Sequence, residues 1–250
     1  MHEPDPEAPW PTELPALPAP PAPPEWMRRL ADAVSTVSGE QLSRFLPPDE
    51  GGRESAVLML FGEGPAGPDV LLIQRAFTLR QHAGQPAFPG GAIDPGDDGP
   101  VGAALREAVE EVGIDPAGVD VLATMPPLYI PVTGYVVTPV LAWWRAPGPV
   151  SPVDVQEVAA VERVPVSVLA DPARRLRVRH PSGWVGPAFD VHGLLVWGFT
   201  AGVLSSLLTL GGWDRPWEHG VVRELPVSGG TLPEAPPDVG GGATGEVRVP

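Results

Sequence analysis

The 250-residue chain contains no cysteine, which removes disulfides, thiolate nucleophiles and cysteine-ligated metal sites from consideration. A chain without disulfides suits a reducing cytosol, and a cytoplasmic location is the expectation. Long apolar runs are missing too: no uninterrupted span approaches the roughly 20 residues that cross a bilayer as a helix. The opening residues, 1–9, are acidic and proline-containing, unlike the basic start of a secretory signal. Basic residues are scarce, 16 against 31 acidic ones, for a formal net charge of -15. Such a surface repels nucleic-acid phosphates and anionic lipids, so neither nucleic acid nor membrane is an expected partner. An anionic substrate would have to be held by local arginines or by a metal ion. No internal repeat is visible.

What is present suffices for a sizeable core, since 43% of the residues are hydrophobic. Residues 1–25 carry prolines at 4, 6, 9, 11, 15, 18, 20, 21, 23 and 24. Proline has no amide proton to give a helix or sheet, so this stretch reads as a disordered arm. Residues 221–250, rich in Gly, Pro and Val, read as a disordered tail. The functional domain is expected over residues 26–220, opening with a helix in Glu25–Val37 whose Trp26, Leu30, Val34 and Val37 recur at helical spacing. Buried strands are expected at 55–61 and 70–74, further strands at 119–123, 135–144, 158–164 and 176–178, and a helix at 199–210 stopped by Gly211 and Gly212. Strands and helices mix without strict alternation, which points to an α+β sandwich with a mixed sheet.

The most informative segment is VGAALREAVEEVG, residues 101–113. At about 100° per residue, Leu105, Ala108, Val109 and Val112 share one face, and Glu107, Glu110 and Glu111 gather opposite them with Arg106 at the margin. Like charges so close repel, and late-helix carboxylates oppose the helix dipole. A divalent cation relieves both penalties, and magnesium favours hard oxygen ligands that bridge to phosphates. Taken alone, the helix is equally readable as a solvated acidic face with Arg106 and Glu110 as an ordinary i,i+4 pair. Upstream stand the turn Phe88-Pro89-Gly90-Gly91 and an acidic loop with Asp94, Asp97 and Asp98.

Phe-Pro-Gly-Gly, an acidic loop, then Arg106-Glu107-x-x-Glu110-Glu111-x-Gly113 resembles the Nudix box. The usual box runs Gly, five residues, Glu, seven residues, then Arg-Glu-x-x-Glu-Glu-x-Gly. Here one extra residue precedes Arg106, so Asp97 or Asp98 stands where the loop glutamate belongs. Farther upstream, Arg75-Ala76, Arg80, Gly84 and Phe88-Pro89-Gly90-Gly91 keep spacings similar to the signature of coenzyme A diphosphatases, and the likeness extends over roughly residues 50–212. The resemblance implies a Nudix-type α/β/α sandwich that hydrolyses the diphosphate of coenzyme A or its thioesters with Mg2+ or Mn2+. It implies Glu107 and Glu111 as metal ligands, Glu110 as a further ligand, and Arg106 as the group orienting a carboxylate. For the general base, Glu110 and Glu157 are the candidates, with Glu162 behind them. Arg75 and Arg80 would receive phosphates, or form structural ion pairs, and Gly84, Gly90 and Gly91 would let backbone approach substrate. A small nucleotide is thus the expected partner, and a homodimer is compatible. The competing readings are a Nudix enzyme for another nucleoside diphosphate derivative, such as ADP-ribose, and an inactive nucleotide-sensing domain.

Overall fold

A computed structural model describes residues 21–43, 45–79 and 82–225. The elements run α1 (Glu25–Thr36), α2 (Gly39–Leu42), β1 (Arg53–Gly64), β2 (Gly67–Arg75), β3 (Pro86–Ala87), β4 (Gly90–Ala92) and α3 (Gly99–Val112). Then come β5 (Val119–Thr124), β6 (Leu128–Ile130), β7 (Tyr135–Trp144), β8 (Val158–Pro165), α4 (Val166–Leu169), β9 (Arg175–Arg179), β10 (Val185–Val191), β11 (Leu194–Val196), α5 (Gly198–Leu210) and β12 (Val222–Glu224). The expected helices at the two ends and the six expected strands are all present.

Eight strands form a mixed sheet ordered β3-β2-β1-β7-β5, with β4 on β1, β6 on β7 and β8 on β2. β1 runs parallel to β7, with Arg53 opposite Tyr135 and Phe61 opposite Trp143, and antiparallel to β2 and β4. Both faces of this sheet are covered, and the period-2 alternation of strands sorts the side chains between them. Leu58, Leu60, Leu71, Ile73, Val140, Ala142 and Trp144 point to α3. Met59, Phe61, Val70, Leu72, Leu141 and Trp143 point to the opposite layer of α1 and α5. This is the α/β/α sandwich expected. Continuous apolar runs such as VLML and VLLI are what a strand buried on both faces requires.

A second, four-stranded sheet, ordered β11-β10-β9-β12, extends the α5 side. Its last strand corrects the sequence reading of the tail: Val222–Glu224 pair with Arg177–Arg179, and Leu225 is buried. Residues this exposed on a three-residue edge strand leave no apolar pattern to read. The proline-rich stretch 1–20 and residues 226–250 lie outside the described residues. Among the described residues, no helix is long and apolar enough to cross a membrane.

Candidate metal and diphosphate site

The helix α3 ends at Gly113, which takes a left-handed φ of 71° and returns its amide to the Val109 carbonyl at 3.0 Å. The side facing the sheet is lined by small residues, Ala103, Ala104 and Ala108, all fully buried. Small side chains let the helix axis lie close to β1 and β4. That closeness alters the expected amphipathic pattern. Val109, assigned to the packed face, is 38% exposed, whereas Glu111, assigned to the polar face, is only 5% exposed. The helical wheel carries no record of the glycine turn on which Glu111 lands.

Gly90 and Gly91 make that landing. The Gly90 amide donates to Glu111 Oε2 at 2.9 Å. Gly90 has φ 156°, and a Cβ there would lie 2.7 Å from Val57 Cα, which nothing could relieve because β4 is paired to β1 at that point. At Gly91, a Cβ would run into the Glu107 carboxylate. Two consecutive glycines thus receive two carboxylates a helical turn apart in different ways: Gly90 offers its amide to Glu111, and Gly91 leaves the space that Glu107 fills. At Gly90 only glycine supplies both the backbone angle and the room beside β1.

Burial raises the Glu111 pKa to about 7, against the opposing pull of the Gly90 amide and the nearby Arg75; the charges of Glu107 and Glu157 push it the same way as burial. Glu107 is also raised, chiefly by burial, with Arg106 opposing and Glu110 and Glu157 adding to the rise. Glu157 therefore belongs electrostatically to the same group, although it arrives from the loop before β8. Its placement follows from backbone bonds: the Ala76 amide donates to the Glu157 carbonyl at 2.8 Å, and the ladder resumes with Arg75 opposite Val158 after a bulge.

Arg106 organises the acidic loop and the outer acids. Nε donates to Asp97 Oδ1 at 2.9 Å and Nη2 to Asp97 Oδ2 at 3.1 Å. Nη1 reaches Glu107 Oε1 and Glu110 Oε2, both at 3.0 Å, and Nη2 also reaches the Ala92 carbonyl at 3.0 Å. Every one of the five guanidinium N–H donors is engaged. Asp97, held below the usual carboxylate range by its Arg106 hydrogen bonds and the Asp94 amide, is thus the loop acid that anchors the arginine. Asp98 stands at the helix N-cap position without a side-chain capping bond. Glu110 remains 59% exposed and faces Arg106.

The other sequence candidates are placed as follows. Arg75 lies on the α3 side of β2, as its alternation with Leu71 and Ile73 requires, and Nη1 sits 3.7 Å from Glu111 Oε1. Gly84 closes the loop after β2, its amide donating to the Arg75 carbonyl at 3.1 Å and its carbonyl accepting from Gln74 Nε2 at 3.3 Å. Arg80 lies outside the described residues. His82 faces Gln85, with Nδ1 2.9 Å from its Oε1. Glu162 is on the wrong face of the sheet: it lines a small apolar space with Leu72, Val164, His192 and Val196, away from α3. Of the basic residues at 174–180, Arg175 pairs with Asp214 and Arg179 with Glu224, so both offset acidic neighbours. Sequence reasoning had no means of finding the Arg75–Glu111 pair, which joins positions far apart in the chain.

Among the described residues, no three acidic or histidine side chains converge into a ready-made cation cage. The donor set nevertheless fits a hard divalent ion. Glu107 and Glu111 offer carboxylate oxygens beside adjacent glycines, and burial disfavours their charge, which is the condition a bound cation relieves. The NUDIX domain family matches residues 52–182. An uncharacterized Nudix hydrolase NudL of Cronobacter sakazakii is 41% identical over 169 residues, 62% of this chain and 81% of its own length. Its namesake in Citrobacter koseri is 40% identical over 184 residues, 68% of this chain and 85% of its own. Among solved structures, a Nudix hydrolase from M. smegmatis, RenU, aligns at a TM-score of 0.47 and 24% identity, over 73% of this chain and 98% of its own.

Proposed function

This chain belongs to the Nudix family, and from that premise we propose that it cleaves the diphosphate of coenzyme A or its thioesters to 3′,5′-ADP and a 4′-phosphopantetheine species. That it is a Nudix hydrolase, acting on nucleoside diphosphate derivatives, follows from the family itself. The choice of coenzyme A rests on the run Arg75-Ala76 to Phe88-Pro89-Gly90-Gly91, which resembles the diphosphatase signature. The observation that carries the chemistry is the seating of Glu107 and Glu111 against Gly90 and Gly91, with Arg75 beside them.

In this reading Glu107 and Glu111 would hold Mg2+ or Mn2+, and Glu110 would serve as a further ligand. A divalent cation held there would supply the positive charge that a diphosphate needs to accept a nucleophile. Arg106 keeps Glu107 and Glu110 oriented through its charged hydrogen bonds. Of the two candidate bases Glu110 is engaged by Arg106, and in this reading Glu157 accepts the water's proton. Arg75, and Arg80 with it, receives substrate phosphate; the planar guanidinium matches that shape. The water oxygen joins one phosphorus while the bridging oxygen leaves on the other. Bulk charge keeps nucleic acid away, and the reading places the enzyme in the cytoplasm.

The test is product analysis by mass spectrometry after incubating coenzyme A and magnesium with the enzyme in heavy-oxygen water. The expected result is 3′,5′-ADP and 4′-phosphopantetheine with one heavy oxygen in one of the two. Preferential turnover of ADP-ribose in a mixture would overturn the substrate and leave the mechanism standing.

A further inference from the structure

Among the described residues two guanidinium groups stand among these acids, and they are held in opposite ways. Arg106 has all five donors engaged, at distances of 2.9–3.1 Å. Among the described residues Arg75 has one ionic neighbour, Glu111, at 3.7 Å, which is beyond hydrogen-bond length. Its Nε is buried and has no hydrogen-bond partner among the described residues. A buried donor left unmade costs free energy, so the residue is held there by charge rather than by fit. Its side chain is 31% exposed, whereas the partner carboxylate of Glu111 is enclosed at 5%.

We propose that Arg75 is the resident counter-ion of Glu111: it neutralises that carboxylate until a divalent cation arrives, is released by the cation, and then takes the substrate's phosphate. Metal and anionic substrate consequently favour each other's binding, since each removes a competitor or supplies a partner for the other. Arg106 cannot play this part, because leaving would break five bonds at once. The inference rests on the reading of Glu107 and Glu111 as the cation ligands.

The sign of one effect separates this role from a bracing one. Removing a brace loosens the site and weakens cation binding, whereas removing a competitor tightens it. Mn2+ affinity of the whole protein, read by electron paramagnetic resonance of the free ion without nucleotide, should rise about fivefold in Arg75→Gln, the weight of a partly exposed ion pair. Arg75→Lys, which keeps the charge, should stay near the wild-type value. Arg75→Met is the alternative neutral variant if the glutamine protein melts early. The same neutral variant should raise KM for the diphosphate it cleaves by about tenfold or more, the loss of a charged phosphate contact. Unchanged or weaker Mn2+ binding in a folded neutral variant overturns the counter-ion role, and unchanged KM overturns the hand-over to phosphate. If the wild type binds no Mn2+, the metal reading falls and this inference with it. If Mn2+ binding tightens but coenzyme A is not cleaved, only the substrate assignment is lost.

Discussion

The two faces of the central sheet are built from different materials. On the α1 and α5 side, large side chains fill the space: Met27, Leu30, Phe61, Trp143, Leu204, Leu207 and Leu208. On the α3 side, large side chains come from the sheet, Leu58, Leu60, Leu71, Ile73 and Trp144, while the helix itself contributes mainly Ala103, Ala104 and Ala108 with Val112, and with them a buried glutamate. The first arrangement maximises apolar area removed from water. The second gives up area so that a helix can lie near the sheet and press carboxylates onto two glycines. One face supplies stability, and the other uses some of it to hold charge where charge is unfavourable.

The largest expected effect lies on the α3 side. Glu111→Gln keeps the shape and an acceptor for the Gly90 amide, but gives up the charge. Turnover should fall by about a thousandfold or more, roughly 4 kcal/mol of lost transition-state stabilisation, while circular dichroism stays native. Turnover within tenfold of wild type would contradict the assignment of Glu111 to the cation.

A pair of core substitutions sharpens the contrast between faces. Leu207→Ala, on the α5 side, should cost about 2–5 kcal/mol in urea unfolding by cavity formation and leave activity per folded molecule unchanged. Ala108→Leu, on the α3 side, should cost about 1–3 kcal/mol by overpacking, and it should also lower turnover by lifting Glu107 and Glu111 from their glycines. Equal effects of the two on turnover would erase the distinction drawn here.

A smaller effect is the dependence of stability on pH. Burial raises the folded-state pKa of Glu111 from 4.5 to about 7. The folded form therefore binds a proton more tightly than the unfolded chain, and this contribution is fully present below pH 4.5 and lost as pH rises through about 7. Without metal, the decline should be on the order of 3 kcal/mol at most. Urea midpoints measured across that range should fall in the wild type, with a flatter course in Glu111→Gln.

Much of this contrast is legible in the residues. The long apolar runs of β1, β2 and β7 announce strands buried on both sides, and the order Gly90-Gly91 to Glu107, Glu110 and Glu111 announces the site. What is hidden is whatever depends on contact across the chain. The burial of Glu111 and the exposure of Val109 invert a helical wheel because the receiving surface is a turn some twenty residues upstream. Glu162 could be set aside only once β8 showed which way it points. Asp97 and Asp98 are equivalent in spacing, and only the bidentate bond from Arg106 separates them. The strand at Val222–Glu224 is recruited by its neighbour β9, with no pattern of its own.

The most direct test of the central claim is the number of protons released when Mg2+ binds. Calorimetric titration in two buffers of different ionisation enthalpy counts them. With Glu111 titrating near 7, cation binding at pH 7 should release about half a proton from that group. The release should fade toward zero by about pH 9 and be clearly smaller at pH 7 in Glu111→Gln, where of the two ligands only Glu107 remains to give up a proton. Magnesium binding with no proton release at pH 7, or release undiminished in Glu111→Gln, would mean that the cation sits elsewhere.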